Sequence, residues 1–179
     1  MRLLTLIATI GILLTSAFGA AAHGPSRQKV ALTVTLDATP DEVWAAIGNF
    51  QDMSWHPVVF ATAGEGGNDI DATRVLTLAE ENGPTIAEVL YKYSAEKRSY
   101  SYRITEVAVD VLPVTNYSSH LTVKDQDGKA LVEWRGAFYR GEPKNDPPEH
   151  LNDEAAIAAV TGVYTAGLDA LKEKFGAVE

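Results

Sequence analysis

Cysteine is absent from the 179 residues of this chain. The sequence therefore has no disulfide, no thiolate metal ligand, no cysteine nucleophile and no site for covalent haem attachment. Exported proteins often use disulfides to reinforce a small core. Without them, the stability of this protein has to come from its hydrophobic core.

The chain also lacks an excess of basic residues. It has 15 Lys and Arg against 24 Asp and Glu, which gives a formal net charge of −9. An acidic protein repels nucleic acids and anionic lipids, so neither is expected as a partner. A basic protein or a neutral ligand fits better, unless the charge only keeps the protein soluble.

Short catalytic motifs are missing as well. The sequence contains no nucleophile elbow, phosphate-binding loop, zincin motif or dinucleotide-binding fingerprint. His56 and His120 do not have the helical spacing of a metal pair, so His56 is expected to be structural and His120 exposed. We therefore predict no catalytic residue, no metal site and no cofactor.

Only one long hydrophobic run occurs, at the N-terminus. Arg2 precedes an almost wholly apolar stretch over residues 3–18, and Ala20-Ala21-Ala22 fits a signal-peptidase site. The run is shorter than the roughly 20 residues of a membrane-spanning helix, which argues against an uncleaved anchor. We predict a signal peptide over residues 1–22, cleavage before His23, and an exported, periplasmic domain over residues 23–179 with net charge −10.

Alternation of apolar and polar residues predicts an antiparallel sheet. It is clearest in residues 30–36 and in residues 99–105, where Tyr100, Tyr102 and Ile104 share one face. Turn-forming residues separate the other predicted strands, at residues 58–60, 74–79, 85–93, 114–124 and 130–139.

Helix signals flank these strands. Thr39 as N-cap and Pro40 as first helical residue predict a helix over Pro40–Ile47, and residues 49–57 form a second short, broken helical segment. A long helix is predicted over residues 151–175, with an apolar stripe of Ile157, Val160, Tyr164, Leu168, Leu171 and Phe175. This order predicts an α+β helix-grip fold, a curved antiparallel sheet around a long C-terminal helix, with a cavity between them.

These patterns resemble the START-like, Bet v 1-like (SRPBCC) superfamily over residues 29–175. The resemblance rests on Val43-Trp44, Trp55-His56-Pro57, residues 100–104 and Val132-Glu133-Trp134, in that order. Within it, residues 22–25 and residues 151–156 resemble the MxaD group. That narrower resemblance implies a non-catalytic periplasmic accessory protein of bacterial methanol oxidation, which promotes the interaction of methanol dehydrogenase with its cytochrome c. We expect the acidic loops around residues 65–71 and 142–149 to be its contact regions.

The superfamily resemblance also implies a ligand cavity under the long helix. Matching positions and strand alternation give its candidate lining residues: Glu88, Leu90, Tyr100, Tyr102, Ile104, Tyr117, Ser119, Trp134, Phe138 and Tyr164. These side chains either surround a small hydrophobic ligand or simply fill the core.

Glu88 is the sharpest candidate, because a carboxylate on an inward face needs a compensating partner. Either it faces the cavity, or it pairs with Arg103 or Lys92 on the sheet. The remaining alternative is a cyclase- or hydratase-like enzyme that uses Glu88 with Tyr117.

Overall fold

The computed structural model describes residues 24–178. The expected signal peptide lies outside the described residues, and its cleavage stays a prediction. The described chain contains seven strands, two α-helices and a short 3₁₀ turn at Glu149–Leu151. The elements are β1 (Gln28–Leu36), α1 (Pro40–Ile47), β2 (Val59–Glu65), β3 (Thr73–Leu78), β4 (Thr85–Ser94), β5 (Ser99–Val107), β6 (Val114–Gln126), β7 (Lys129–Arg140) and α2 (Asp153–Phe175).

All seven strands form one antiparallel sheet in the order β1-β7-β6-β5-β4-β3-β2. Consecutive strands from β2 to β7 are neighbours, and β1 joins the far edge beside β7. Bulges interrupt the pairing in β2–β3, β4–β5 and β6–β7, which bends a sheet and increases its twist. The inner, concave face holds the core, and α2 lies against it. This is the helix-grip architecture that the sequence predicts.

The start of α1 follows its capping signals. The Glu42 amide donates to Thr39 Oγ1 at 3.3 Å, and the Thr39 amide donates to Glu42 Oε2 at 2.9 Å. This reciprocal capping box satisfies amides that the first helical turn leaves unpaired. The expected second short helix is wrong, because turns connect α1 to β2. Asn49 and Asp52 instead accept hydrogen bonds from amides two residues ahead, which favours turns over helix.

The long helix α2 begins two residues later than expected. Asn152 caps it, since its side chain accepts a hydrogen bond from the Ala155 amide at 2.8 Å. The expected stripe is right except for Ile157, which is exposed, and Phe175, which is only partly buried. Ala156 takes the inward position of Ile157 because it is in phase with the buried residues Val160, Tyr164, Leu168 and Leu171.

After α2 the chain returns to the free edge of β1. The Asp37 amide donates to the Gly176 carbonyl at 3.1 Å, and the Val178 amide donates to the Thr35 carbonyl at 3.0 Å. Leu36 and Ala177 form an antiparallel bridge between these bonds. The end of the helix is thus fastened to the edge of the sheet. Within residues 24–178, no helix is long and apolar enough to cross a lipid bilayer.

Two glycines of α2 have opposite surroundings and give a matched test of this packing. A Cβ on Gly167 would lie 2.8 Å from ring carbons of both His56 and Trp134, whereas nothing lies within 4 Å of one on Gly162. We expect Gly162→Ala to raise the free energy of unfolding by up to about 1 kcal/mol. Gly167→Ala should lower it by about 1–3 kcal/mol because it overpacks the interface. Urea unfolding measures both, and shifts of the same sign would contradict this close approach of α2 to the sheet.

Candidate functional site

A small cavity lies between the concave face of the sheet and α2, with a volume of about 60 Å³. An engineered cavity of about 150 Å³ holds benzene, so this one has room for only a few non-hydrogen atoms. Its wall is mostly apolar and comes from strands β2 to β7, α2 and two loops: Met53, His56, Val58, Val59, Arg74, Leu76, Leu78, Ile86, Glu88, Tyr102, Ile104, Leu112, Tyr117, Trp134 and Val163.

Half of the candidate lining residues border this cavity, namely Glu88, Tyr102, Ile104, Tyr117 and Trp134. The other half pack elsewhere in the core. Leu90 is fully buried, and Tyr100 packs against Trp44 and Phe50. Phe138 stacks on Tyr117 from behind, and Ser119 and Tyr164 lie behind the wall as hydrogen-bond partners. Strand alternation places nine of the ten on the concave side, and Tyr164 lies on α2. This pattern does not distinguish residues of the cavity wall from residues that fill the core.

A buried ion pair forms the charged part of the wall. Arg74 and Glu88 are directly opposite on β3 and β4, and Arg74 Nε donates to Glu88 Oε2 at 2.6 Å. The two side chains are only 1% and 5% exposed. Glu88 therefore faces inward, and its alternative pairing with Arg103 or Lys92 is wrong because both are exposed on the outer face.

Arg74 is held by more than its carboxylate partner. Its Nη1 donates to the Phe50 carbonyl at 2.6 Å, and its guanidinium lies 4.2 Å from the Phe50 ring and 4.9 Å from the Tyr102 ring. Burial raises the pKa of Glu88, and the charge of Arg74 opposes that rise. The pair as a whole is neutral, so the cavity wall has hydrogen-bonding polarity without net charge.

A chain of hydroxyl groups runs behind the cavity wall, and its direction is fixed. Ser119 Oγ donates its only proton to the Arg135 carbonyl at 3.0 Å, so it accepts from both Trp134 Nε1 and the Tyr164 hydroxyl, each at 3.0 Å. The proton of Tyr164 is then used, and Tyr117 donates to Tyr164 at 2.6 Å. The hydroxyls of Ser119, Tyr164 and Tyr117 therefore each donate a hydrogen bond to a neighbouring oxygen.

Tyr102 differs from these hydroxyls. The indole Nε1 of Trp134 is only a donor, so at 3.2 Å it gives a hydrogen bond to the Tyr102 oxygen. No acceptor among residues 24–178 takes the proton of Tyr102 itself. Burial raises the pKa of this phenol well above its usual value, so it stays protonated. The cavity wall therefore contains one unused hydroxyl donor, beside the Arg74–Glu88 pair and the apolar side chains.

His56 is a buried residue of the cavity wall, and both of its ring nitrogens form hydrogen bonds. Nε2 donates to the Val163 carbonyl of α2 at 3.0 Å, and Nδ1 accepts from the Val58 amide at 3.3 Å. Burial lowers the pKa of His56, which keeps the ring neutral. Its role is to tie the segment after α1 to the long helix, and it has no free nitrogen for proton transfer.

Sequence reasoning missed several residues of the wall, and Arg74 is the most important of them. The signal was present, because Arg74 shares an inward strand phase with Leu76 and therefore needs a buried anionic partner. Met53 and Leu112 come from loops, for which no periodic pattern exists, and Val163 lies beside the predicted apolar stripe of α2. His120 lies on the outer face as expected, but it is half-buried rather than exposed.

The pair that a cyclase- or hydratase-like enzyme would use, Glu88 with Tyr117, is engaged in other hydrogen bonds. Glu88 is tied to Arg74, and Tyr117 spends its proton on Tyr164, so neither is a free acid or base. Residues 24–178 contain no group of three or more His, Asp or Glu side chains arranged to hold a metal ion.

Comparison with known families agrees with this geometry. The model of the family described as polyketide cyclase / dehydrase and lipid transport matches residues 27–176. The chain belongs to this family. The START-like, Bet v 1-like (SRPBCC) resemblance is thereby confirmed, whereas the narrower resemblance to the MxaD group stays a prediction. A search of the curated proteins returned no match.

Solved structures of similar proteins come from bacteria and from a plant. The protein XoxI from Bacillus cereus is 31% identical over 82% of this chain and 94% of its own, with a TM-score of 0.68. A protein from Nitrosospira multiformis is 26% identical over 83% of this chain and 96% of its own, with a TM-score of 0.66.

Norcoclaurine synthase from Thalictrum flavum shares the fold of this family member at only 15% identity. The likeness covers 97% of this chain and 96% of that one, with a TM-score of 0.61. A further structure shows that synthase in complex with dopamine and hydroxybenzaldehyde. The fold of this family thus occurs in enzymes as well as in binding proteins.

Proposed function

We propose that this family member is a non-catalytic binding protein for a small neutral molecule that carries a hydrogen-bond acceptor. The observation that carries the proposal is the hydroxyl proton of Tyr102, a residue of the mostly apolar cavity wall. This proton has no acceptor within residues 24–178, whereas the other wall hydroxyl, that of Tyr117, donates to Tyr164. An acceptor atom of a ligand would satisfy this donor, and the apolar wall would enclose the rest of the molecule.

Charge and size define the ligand further. An ionic ligand would face a wall whose only charges, Arg74 and Glu88, already neutralise each other, so it would lose hydration without gaining a partner. The volume of about 60 Å³ favours compounds such as small ketones and alcohols. A larger hydrophobic ligand requires the part of the wall that contains Met53 and Val58 to move outward.

Substitution of Tyr102 tests the binding proposal. We expect Tyr102→Phe to weaken binding of small ketones by roughly tenfold, because one buried hydrogen bond to the carbonyl oxygen is lost. Ligand-observed NMR with a panel of small ketones and matched hydrocarbons measures this. Tyr100→Phe is the control, since Tyr100 lies on the same strand, is equally buried, and does not line the cavity. Equal effects of both substitutions, or equal affinity for hydrocarbons, would contradict the role of Tyr102.

The lack of catalysis is part of the same proposal. Turnover by general acid–base chemistry needs a group that exchanges protons with the substrate. Tyr102 is protonated and its pKa is raised, while the carboxylate of Glu88 is held by Arg74. Detection of a Glu88-dependent dehydration or cyclisation of a bound carbonyl compound would overturn this part.

We also propose a biological setting, an accessory role in periplasmic methanol oxidation. The resemblance of residues 22–25 and 151–156 to the MxaD group and the acidic, exposed loops around residues 65–71 and 142–149 support it. We expect the purified protein to speed electron transfer from methanol dehydrogenase to its cytochrome c at low salt, and less at high salt. An unchanged rate at both salt concentrations would refute this role, and full-length chain in the cytosol would refute periplasmic export.

A further inference from the structure

The outer face of the sheet, opposite the cavity, carries a groove of about 520 Å³. It crosses β1, β7, β6, β5 and β4. Long side chains form its rim, and they are Lys29, Tyr91, Lys92 and Arg135. Small side chains form its floor, and they are Ala31, Ser101, Ser118 and Ala137. This contrast in side-chain size makes a depression on the outer surface of the sheet, and we call it the outer groove.

Strand register aligns side chains of the outer groove in two neighbouring rows, and the second row continues beyond the groove to Arg103 and Val89. The first row joins Ala31, Arg135, His120, Ser101 and Lys92 across five strands, and the second joins Lys29, Ala137, Ser118, Arg103 and Val89. The two rows hold four cationic side chains and no carboxylate, although the whole chain has a net charge of −9. The two rows therefore form a locally cationic surface on an acidic protein.

Neutral hydrogen-bonding groups lie between these cations. Ser101 Oγ and His120 Nδ1 are 2.8 Å apart at the centre of the first row. Arg27, the residue before β1, donates to Ser118 Oγ at 3.1 Å. The nearest carboxylate in register, Glu133, lies one row away, and its two oxygens pair with Lys124 at 3.1 Å and with Arg135 at 3.5 Å. Cations surrounding hydroxyl and imidazole groups are the set that binds an oxyanion through charge-assisted hydrogen bonds.

We propose that the outer groove binds a small molecule through a carboxylate or phosphate group. The concave shape suits a compact ligand, and the negative charge of the rest of the protein disfavours an extended polyanion. The site is separate from the cavity under α2, because the two lie on opposite faces of the same sheet. An anion in the outer groove and a neutral ligand in the cavity can therefore bind at the same time.

The groups around His120 couple this binding to pH. Burial and the positive charges of Arg135, Lys124 and Lys92 hold the pKa of His120 below its usual value, with Glu133 opposing them. The other charged groups near His120 are Lys29 and Arg103 in the second row, and Arg27 beside Ser118. A bound anion stabilises the protonated ring, so it raises the pKa of His120. By linkage, the anion binds more tightly as pH falls through the titration range of His120.

NMR titration of the purified protein tests the outer groove. Inorganic phosphate and succinate are the probes, and chloride at equal ionic strength is the reference. We expect saturable shifts confined to residues of the two rows, together with a higher pKa of the His120 ring. The double variant Lys92→Ala/Arg135→Ala should weaken binding by roughly tenfold or more, because charge-assisted hydrogen bonds are lost.

Lys174→Ala is a control for the loss of a positive charge elsewhere on the protein, since Lys174 is exposed on α2 and lies outside the outer groove. It should leave the affinity unchanged. The proposal is overturned if chloride produces the same shifts, if neither probe saturates, or if the control weakens binding as much as the double variant. Ketone binding in the cavity is measured separately, so failure of the outer groove leaves the ligand proposal standing.

Discussion

Replacing Arg74 by Met should lower the free energy of unfolding by about 3–5 kcal/mol at neutral pH. The substitution leaves the Glu88 carboxylate buried without its only charged partner, and an uncompensated buried charge is strongly destabilising. It also removes the guanidinium from between the Phe50 and Tyr102 rings. Denaturant unfolding at neutral pH measures the loss.

The pH dependence of this loss identifies its cause. Without Arg74, only burial acts on Glu88, so its pKa in the folded variant lies even further above its value in the unfolded chain. A carboxyl with a raised folded-state pKa stabilises at low pH, and this contribution is lost as pH rises through the folded-state pKa. The gap between variant and wild type should therefore narrow on acidification. A gap that is constant with pH would mean that lost packing, and not stranded charge, is responsible.

A double variant supplies the matched control. Arg74→Met/Glu88→Leu removes both charges and fills their space with apolar atoms, which often restores or exceeds the original stability of a buried ion pair. We expect it to recover most of the loss and to show little dependence on acid pH. A double variant as unstable as Arg74→Met would contradict the role that we assign to the unpaired carboxylate.

Replacing Trp134 by Ala should have a comparable effect, with a loss of about 3–5 kcal/mol. Trp134 is 3% exposed, stacks on Tyr164 at 4.4 Å between ring centroids, and donates to Tyr102 and Ser119. Its removal takes away the stacking contact with Tyr164 and the indole N–H donor. It also merges the space of the indole ring with the cavity, because Trp134 is part of the cavity wall.

The enlarged cavity makes the second effect measurable by rescue. Indole added to Trp134→Ala should refill the space and raise the melting temperature of the variant, because a ligand that binds only the folded state stabilises it. Trp44→Ala is the control. Trp44 packs on Tyr93 and Tyr100 away from the cavity, so this variant should lose stability without rescue by indole. Equal rescue of both variants would show that indole acts elsewhere on the protein.

Much of the fold follows from local sequence signals. Thr39, Pro40 and Glu42 specify the start of α1, and the alternation in residues 30–36 specifies the buried face of β1. These signals succeed because each is a contact between near neighbours in the chain. The second short helix failed because residues 49–57 contain polar side chains that bind nearby backbone amides as readily in turns as in a helix.

The candidate site was harder to predict because its chemistry depends on register. The pairing of Arg74 with Glu88 requires the alignment of β3 with β4, and bulges next to Glu88 and in β6 shift the alignment of the neighbouring strands. Small changes in backbone position then determine whether the Tyr102 hydroxyl has no acceptor or donates to a neighbour, as the Tyr117 hydroxyl does. Strand alternation predicted an inward tyrosine at position 102, but only the three-dimensional arrangement assigns its hydrogen-bond partners.

The backbone bridge between the chain after α2 and β1 has a consequence for self-association. An open strand edge invites pairing with a strand from another molecule. Residues 176–178 occupy that position on β1, so they shield the end of this edge as well as fastening the helix. Truncation before Gly176 would expose the end of the edge and favour intermolecular strand addition, even with the core of the domain left intact.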